Sequence, residues 1–159
     1  ERMARLWDTE VIWAATHQFG YPGTLVGELS SRGIPSIVAE SGYLSTYNEP
    51  EIGVHLKGAR NVMKAFGLLD GEPELTRNGR QKVLTENWVA YAARGGVFHP
   101  QARPGDRVQK GQVLAVIKDV FGEPIEEVNA PATGLVRIQH PRRVVSSGNP
   151  VFRGWVLEE

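Results

Sequence analysis

One carboxylate and four histidines are the side chains of this 159-residue chain whose placement could do chemistry. The carboxylate is Glu40, which follows the apolar run Ile34-Pro35-Ser36-Ile37-Val38-Ala39 and precedes the small pair Ser41-Gly42. A glutamate at the end of such a run is desolvated, which is costly unless it has a partner or a task, and desolvation raises its pKa toward the range useful for proton transfer. Glu40 is therefore the first candidate catalytic residue. The competing interpretation is a carboxylate that caps a backbone turn or pairs with an arginine. The histidines are His17, His55, His99 and His140, and none of them begins a His-x-x-Glu pair; the residues three further on are Gly20, Gly58, Ala102 and Arg143. Cysteine is absent, which removes disulfides, thiolate catalysis and cysteine-based zinc sites, and fits a reducing compartment such as the cytoplasm.

The elements that must position Glu40 read as alternating helix and strand. Residues 2–7 fit a helix end, 11–15 a short buried strand, 24–31 a helix, and 34–39 a second buried strand whose C-terminal edge would carry Glu40. Open α/β sheets bind ligands at that edge. Residues 41–49, rich in Ser, Gly, Tyr and Asn, have turn chemistry and form a loop at the mouth of the site. Pro50 suits a first helical position, and Ile52, Leu56, Ala59, Met63 and Phe66 make one apolar stripe that must pack against something. Gly67 followed by Leu68 reads as a left-handed helix stop.

Composition shifts after Leu69. The polar, turn-prone stretch 70–80 reads as a linker or exposed connection, with a boundary near residue 80. From 81 to 159 the apolar residues come in short runs separated by Gly and Pro, the signature of an all-β module. A repeat runs through it: Val97-x-x-Pro100 returns as Val128-x-x-Pro131, and Val108-x-x-Gly111-x-x-Leu114 as Val145-x-x-Gly148-x-x-Val151. The fold class expected is thus α/β over 1–80 followed by a small β module over 81–159.

Lys+Arg and Asp+Glu are both 18, and no basic stripe with interleaved aromatics exists, so nucleic-acid binding is not expected. No apolar run approaches the ~20 residues of a membrane span, and the N-terminus lacks a signal-peptide pattern. The start at Glu1-Arg2-Met3, inside an amphipathic helix, points to a fragment or processed product.

Gly33-Ile34-Pro35 leading into Glu40-Ser41-Gly42, the helix segment Gly58-Ala59-Arg60-Asn61-Val62, and the C-terminal β module together resemble the C-terminal half of the succinylglutamate desuccinylase/aspartoacylase family. That family belongs to the zinc hydrolases similar to M14 carboxypeptidases, so the resemblance implies a partial zinc-carboxypeptidase-like sheet over 1–80. It also implies hydrolysis of an N-acylated amino acid, with Glu40 as general base and acid. Zinc lowers the pKa of its bound water to about 7, and a nearby carboxylate takes that proton and passes it to the leaving amine. The resemblance puts the zinc ligands upstream, so this chain alone is expected to hold no metal and to be inactive.

Arg32 lies near where the resemblance places an arginine for the substrate carboxylate, and a guanidinium suits bidentate binding. An exposed helix-end arginine near the C-terminal dipole is the alternative. Tyr43 and Tyr47 are candidates to line the mouth. Where aspartoacylase-type members reach the site with a tyrosine from the β module, this chain has Pro141-Arg142-Arg143-Val144, which places acyl-aspartate specificity in doubt.

Residues 104–117, with Asn129-Ala130-Pro131 and Gly134, resemble a biotinyl/lipoyl-type barrel-sandwich. The hairpin tip 119–124 lacks the lysine that a carrier needs. A non-catalytic binding or docking module is accordingly the rival function. The partner expected for the enzyme is a small N-acyl amino acid, and assembly into a homo-oligomer stays open.

Overall fold

The computed structural model describes residues 1–14, 23–42, 47–77 and 80–157. The chain divides into two compact units, 1–83 and 84–159.

The first unit begins with α1 (Arg2–Leu6) and a short strand β1 (Val11–Trp13), then α2 (Leu25–Ser31) and the long helix α3 (Glu49–Ala65). Strand β2 (Lys82–Leu84) pairs with β1 in a two-stranded sheet. Local chemistry explains where the helices begin. Thr24 caps α2 by accepting from the Gly27 amide at 3.1 Å, and Asn48 caps α3 by accepting from the Glu51 amide at 3.4 Å. Glu49 and Glu51 add negative charge to the positive end of α3.

Both helices stop the same way. Past α2, the Ile34 amide donates to the Leu29 carbonyl at 2.9 Å and the Gly33 amide to the Ser30 carbonyl at 3.0 Å. That is the Schellman closure, which requires a left-handed residue; Gly33 supplies it at φ 70°. Past α3, the Leu68 amide bonds to the Met63 carbonyl and the Gly67 amide to the Lys64 carbonyl in the same pattern.

Two expectations are corrected in this unit. Residues 34–40 belong to no helix or ladder, so the second buried strand does not form among the described residues, and Val38 is 67% exposed. A strand exists only through its neighbours' hydrogen bonds, and no described strand lies beside this segment. The apolar stripe of α3 is also not packed: Leu56 is 53% exposed, and the helix buries Gly58 and Asn61 instead. The face turned toward α1 is chosen by close approach, because a Cβ on Gly58 would lie 2.6 Å from Cγ of the Trp7 indole.

The polar stretch after Leu69 is exposed, but it is not a free linker. Asp8 and Asn61 hold residues 74–77 by side-chain hydrogen bonds to the backbone.

The second unit is two four-stranded antiparallel sheets. Its strands are β3 (Asn87–Tyr91), β4 (Gly96–Pro100), β5 (Arg107–Val108), β6 (Val113–Lys118), β7 (Pro124–Asn129), β8 (Gly134–Gln139), β9 (Val144–Val145) and β10 (Pro150–Val156). One sheet has the order β3-β10-β8-β5 and the other β7-β6-β4-β9. Both contribute to a single core that includes Phe98, Leu114, Ile117, Val136, Val151 and Phe152, with the two phenylalanine rings 5.7 Å apart. Each such side chain removed from water contributes about 1.5–3 kcal/mol, which explains why this unit closes on itself.

The two sheet orders are the same four-strand pattern used twice. Gly111 donates to the Ala130 carbonyl and Gly148 to the Ala92 carbonyl, both at 2.8 Å, and both glycines are left-handed at φ 85° and 83°. The Gln112 side chain accepts from the Gln109 amide as the Asn149 side chain accepts from the Ser146 amide. A Cβ on Gly96 would run into the Lys118 carbonyl oxygen, and one on Gly134 into that of Trp155. The Val108/Val145 repeat seen in the sequence is therefore structural. The Val97/Val128 repeat is not: Val97 is the second residue of β4 whereas Val128 lies near the end of β7, and the counterpart of β4 is β8.

Candidate active site

Glu40 sits at the end of the segment launched by the Gly33 turn, seven residues beyond it and two before Gly42, another left-handed glycine at φ 100°. Its side chain is exposed, and among the described residues it forms no hydrogen bond or ion pair. It caps no turn and pairs with no arginine there. In the same segment the Ser36 hydroxyl is shielded from water without a hydrogen-bond partner. The expected desolvation of Glu40 is thus not met, because no described strand covers the segment, and among the described residues it is the shielded Ser36 hydroxyl that burial leaves without a partner.

Arg32 is the C-cap residue of α2, and its guanidinium pairs with Glu28 at 2.6 Å. Both side chains are well exposed, and an exposed pair one helical turn apart is worth only a few tenths of a kcal/mol. That pair is weak enough to give way to a better-placed carboxylate. Tyr43 lies outside the described residues. Tyr47 is exposed and donates to Glu49 at 3.0 Å.

The best-organised charged site of this unit was not singled out by sequence reasoning. Asp8, at φ 59°, has a side chain only 1% exposed. It accepts from Lys57 Nζ at 2.7 Å, from the Thr76 hydroxyl at 2.6 Å and amide at 2.8 Å, and from the Arg77 amide at 2.9 Å. Burial pushes its pKa up, but the Lys57 ammonium and the Thr76 and Arg77 donors outweigh burial and hold it well below the usual carboxylate range. Asn61 complements it: its amide group donates to the Leu6 and Glu74 carbonyls, both at 3.1 Å, and accepts from the Glu74 amide at 2.8 Å. The two residues lock α1, α3 and the 74–77 segment together. The signal that could have found Asn61 is its position three residues from Gly58 on one face of α3; no local pattern marks Asp8.

His55 stands edge-on to Trp7 with ring centres 6.1 Å apart, His140 Nδ1 lies 3.1 Å from the Arg142 carbonyl, and His17 is outside the described residues. Among the described residues no group of three or more His, Cys, Asp or Glu side chains could hold a metal. The described donor set does not fit a zinc ion.

No family model and no curated protein matches the sequence. Solved structures do match, over almost the whole chain. The product-bound ectoine utilization protein EutE (DoeB) from Ruegeria pomeroyi superposes with a TM-score of 0.84 at 22% identity, covering 98% of this chain and 48% of that one. A succinylglutamate desuccinylase/aspartoacylase from Rhodobacter sphaeroides gives 0.84 at 22% identity, covering 99% and 49%. The fold is that of succinylglutamate desuccinylase/aspartoacylase structures. A succinylglutamate desuccinylase from Silicibacter sp. TM1040 agrees, with a TM-score of 0.84 at 19% identity. This chain spans about half the length of each of them, in keeping with the resemblance to a C-terminal half. Among the described residues no helix is long and apolar enough to cross a membrane.

Proposed function

We propose that this chain is the part of a cytoplasmic N-acyl amino acid deacylase that supplies the proton-transfer carboxylate, Glu40. The observation that carries this is the fold match over 99% of the chain to structures named succinylglutamate desuccinylase and succinylglutamate desuccinylase/aspartoacylase, in a chain whose Glu40 is left exposed and without a partner among the described residues. A carboxylate held at the end of a short segment, with no internal partner, is free to take a proton from an attacking water and return it to the leaving amine. The zinc ion used by such a reaction is proposed to be held by upstream residues that this chain does not contain. Glu40's part is confined to moving the proton.

Arg32 is proposed as the contact for the substrate carboxylate, exchanging Glu28 for it, and Tyr43 as a residue at the mouth. The duplicated halves of 84–159 support reading that unit as a biotinyl/lipoyl-type fold used without a prosthetic group, since the 119–124 tip has no lysine. In the zinc-loaded enzyme, Glu40→Gln is expected to lower kcat for N-acyl amino acid hydrolysis about 100-fold or more with unchanged zinc content. Wild-type turnover by that variant would sink the assignment.

A further inference from the structure

The most exposed large apolar side chains among the described residues belong to a unit that otherwise buries its own core. Val120 and Phe121, at the tip of the β6–β7 hairpin, are 86% and 88% exposed. That tip is a built turn. Asp119 Oδ1 accepts from the Phe121 and Glu123 amides, both at 2.9 Å, the Asp119 amide donates to the Glu123 carbonyl at 2.9 Å, and Gly122 takes the left-handed conformation at φ 91°. These bonds fix the backbone that holds the two side chains out in water, so little further ordering is needed when they are covered. The charges of the tip, residues 119–124, are the carboxylates of Asp119 and Glu123. It is an apolar knob on an acidic base.

The complementary chemistry lies on the sheet β3-β10-β8-β5 of the same unit. Its strands carry Arg107, Arg137 and Arg153 and no carboxylate. Alternation with the buried Phe152, Gly154 and Val136 turns Arg153, Trp155 and Leu135 to the outer face. The register lines up Arg107, Leu135 and Trp155 across three neighbouring strands and sets Arg153 between Val89 and Ile138. The Arg137 guanidinium lies 5.6 Å from the centre of the Trp155 ring. Arg107 and Arg153 form no ion pair among the described residues, and both are exposed. An apolar strip framed by arginines suits an anchor that brings an apolar side chain and a carboxylate together. The chain has equal numbers of cationic and acidic side chains, so no overall field draws a polyanion to it, whereas every copy carries an anchor of the required kind. We propose that the 119–124 tip of one copy seats on the Arg107-Trp155-Arg153 face of a second copy. The tip extends the other sheet, β7-β6-β4-β9, and cannot fold onto that face within its own unit. The contact is therefore head to tail, between two different patches. Resting on one hairpin, it falls below the roughly 1,200 Å² of a stable interface, so the association is reversible. It uses no part of the Glu40 segment and goes beyond the deacylase reading.

Sedimentation of the full chain is expected to show self-association that grows with concentration up to about 100 µM. Phe121→Asp and Arg153→Glu are each expected to weaken it at least about tenfold, with near-UV circular dichroism unchanged because neither side chain belongs to the core. Mixed in equal amounts, the two variants are expected to form a one-to-one heterodimer, since the first keeps its arginine face and the second keeps its tip. A wild-type chain that stays monomeric at that concentration overturns the contact, including one whose arginine face takes up a single-stranded oligonucleotide instead. Self-association that survives either substitution lies on another surface and overturns it as well. So does a pair of weakened variants that fails to complement, because tip-to-tip or face-to-face pairing would behave in that way.

Discussion

Asp8 shows how a single buried charge can organise a unit with little apolar core. Its carboxylate satisfies four donors from two distant segments, 49 to 69 positions away along the chain. Asp8→Asn leaves Lys57 without its ion pair and turns one acceptor into a donor facing other donors. We expect it to cost about 3 kcal/mol, read as a lowered urea midpoint for the unfolding of residues 1–83. The pH dependence follows from the direction of the shift. The folded carboxyl has a lower pKa than the unfolded one, so its stabilisation is fully present above the unfolded value of about 4 and is lost as pH falls below it. Wild-type stability should therefore decline on acidification below about pH 4 more steeply than that of Asp8→Asn, measured by denaturant titration at stepped pH. Glu40 stood out in the sequence through a local signal, an apolar run broken by one carboxylate, although the structure leaves that carboxylate exposed rather than desolvated. Asp8 did not, because nothing in Trp7-Asp8-Thr9 points to partners so far along the chain.

Helix boundaries were the most legible elements. Thr24, Asn48, Gly33 and Gly67 act within a few residues of themselves, so their cap chemistry survives any tertiary context. Faces were less legible. The apolar stripe of α3 is a true periodicity, but the face that α3 buries against α1 is selected by Gly58, which lets the Trp7 ring approach. Gly58→Ala should force that ring away and cost about 1–3 kcal/mol, with a matching change in Trp7 fluorescence. The repeated turns of the second unit make a paired prediction. Gly111→Ala and Gly148→Ala each place a Cβ on a left-handed residue, and each should cost about 1–2 kcal/mol, nearly equal because the two turns carry the same hydrogen bonds. Thermal unfolding of the two variants tests this, and clearly unequal losses would argue against equivalent halves.

At the scale of the whole molecule, apolar burial is divided unevenly. The β unit holds its own core, so residues 84–159 expressed alone should unfold cooperatively, with near-UV circular dichroism retained from the buried Trp88 and Phe98. Sequence alone determined the helix near 24–31, the helix beginning about Pro50 with its Gly67 stop, the β character of the second half and the Val108/Val145 glycine turns, since each depends on neighbours a few residues away. Only the tertiary structure decided that residues 34–40 lack a ladder, that the α3 stripe is left uncovered and that Asp8 and Asn61 pin the 74–77 segment. A ladder, a buried face and a satisfied buried charge each need a particular partner far along the chain or outside it, and no local pattern of residue types encodes whether that partner is there.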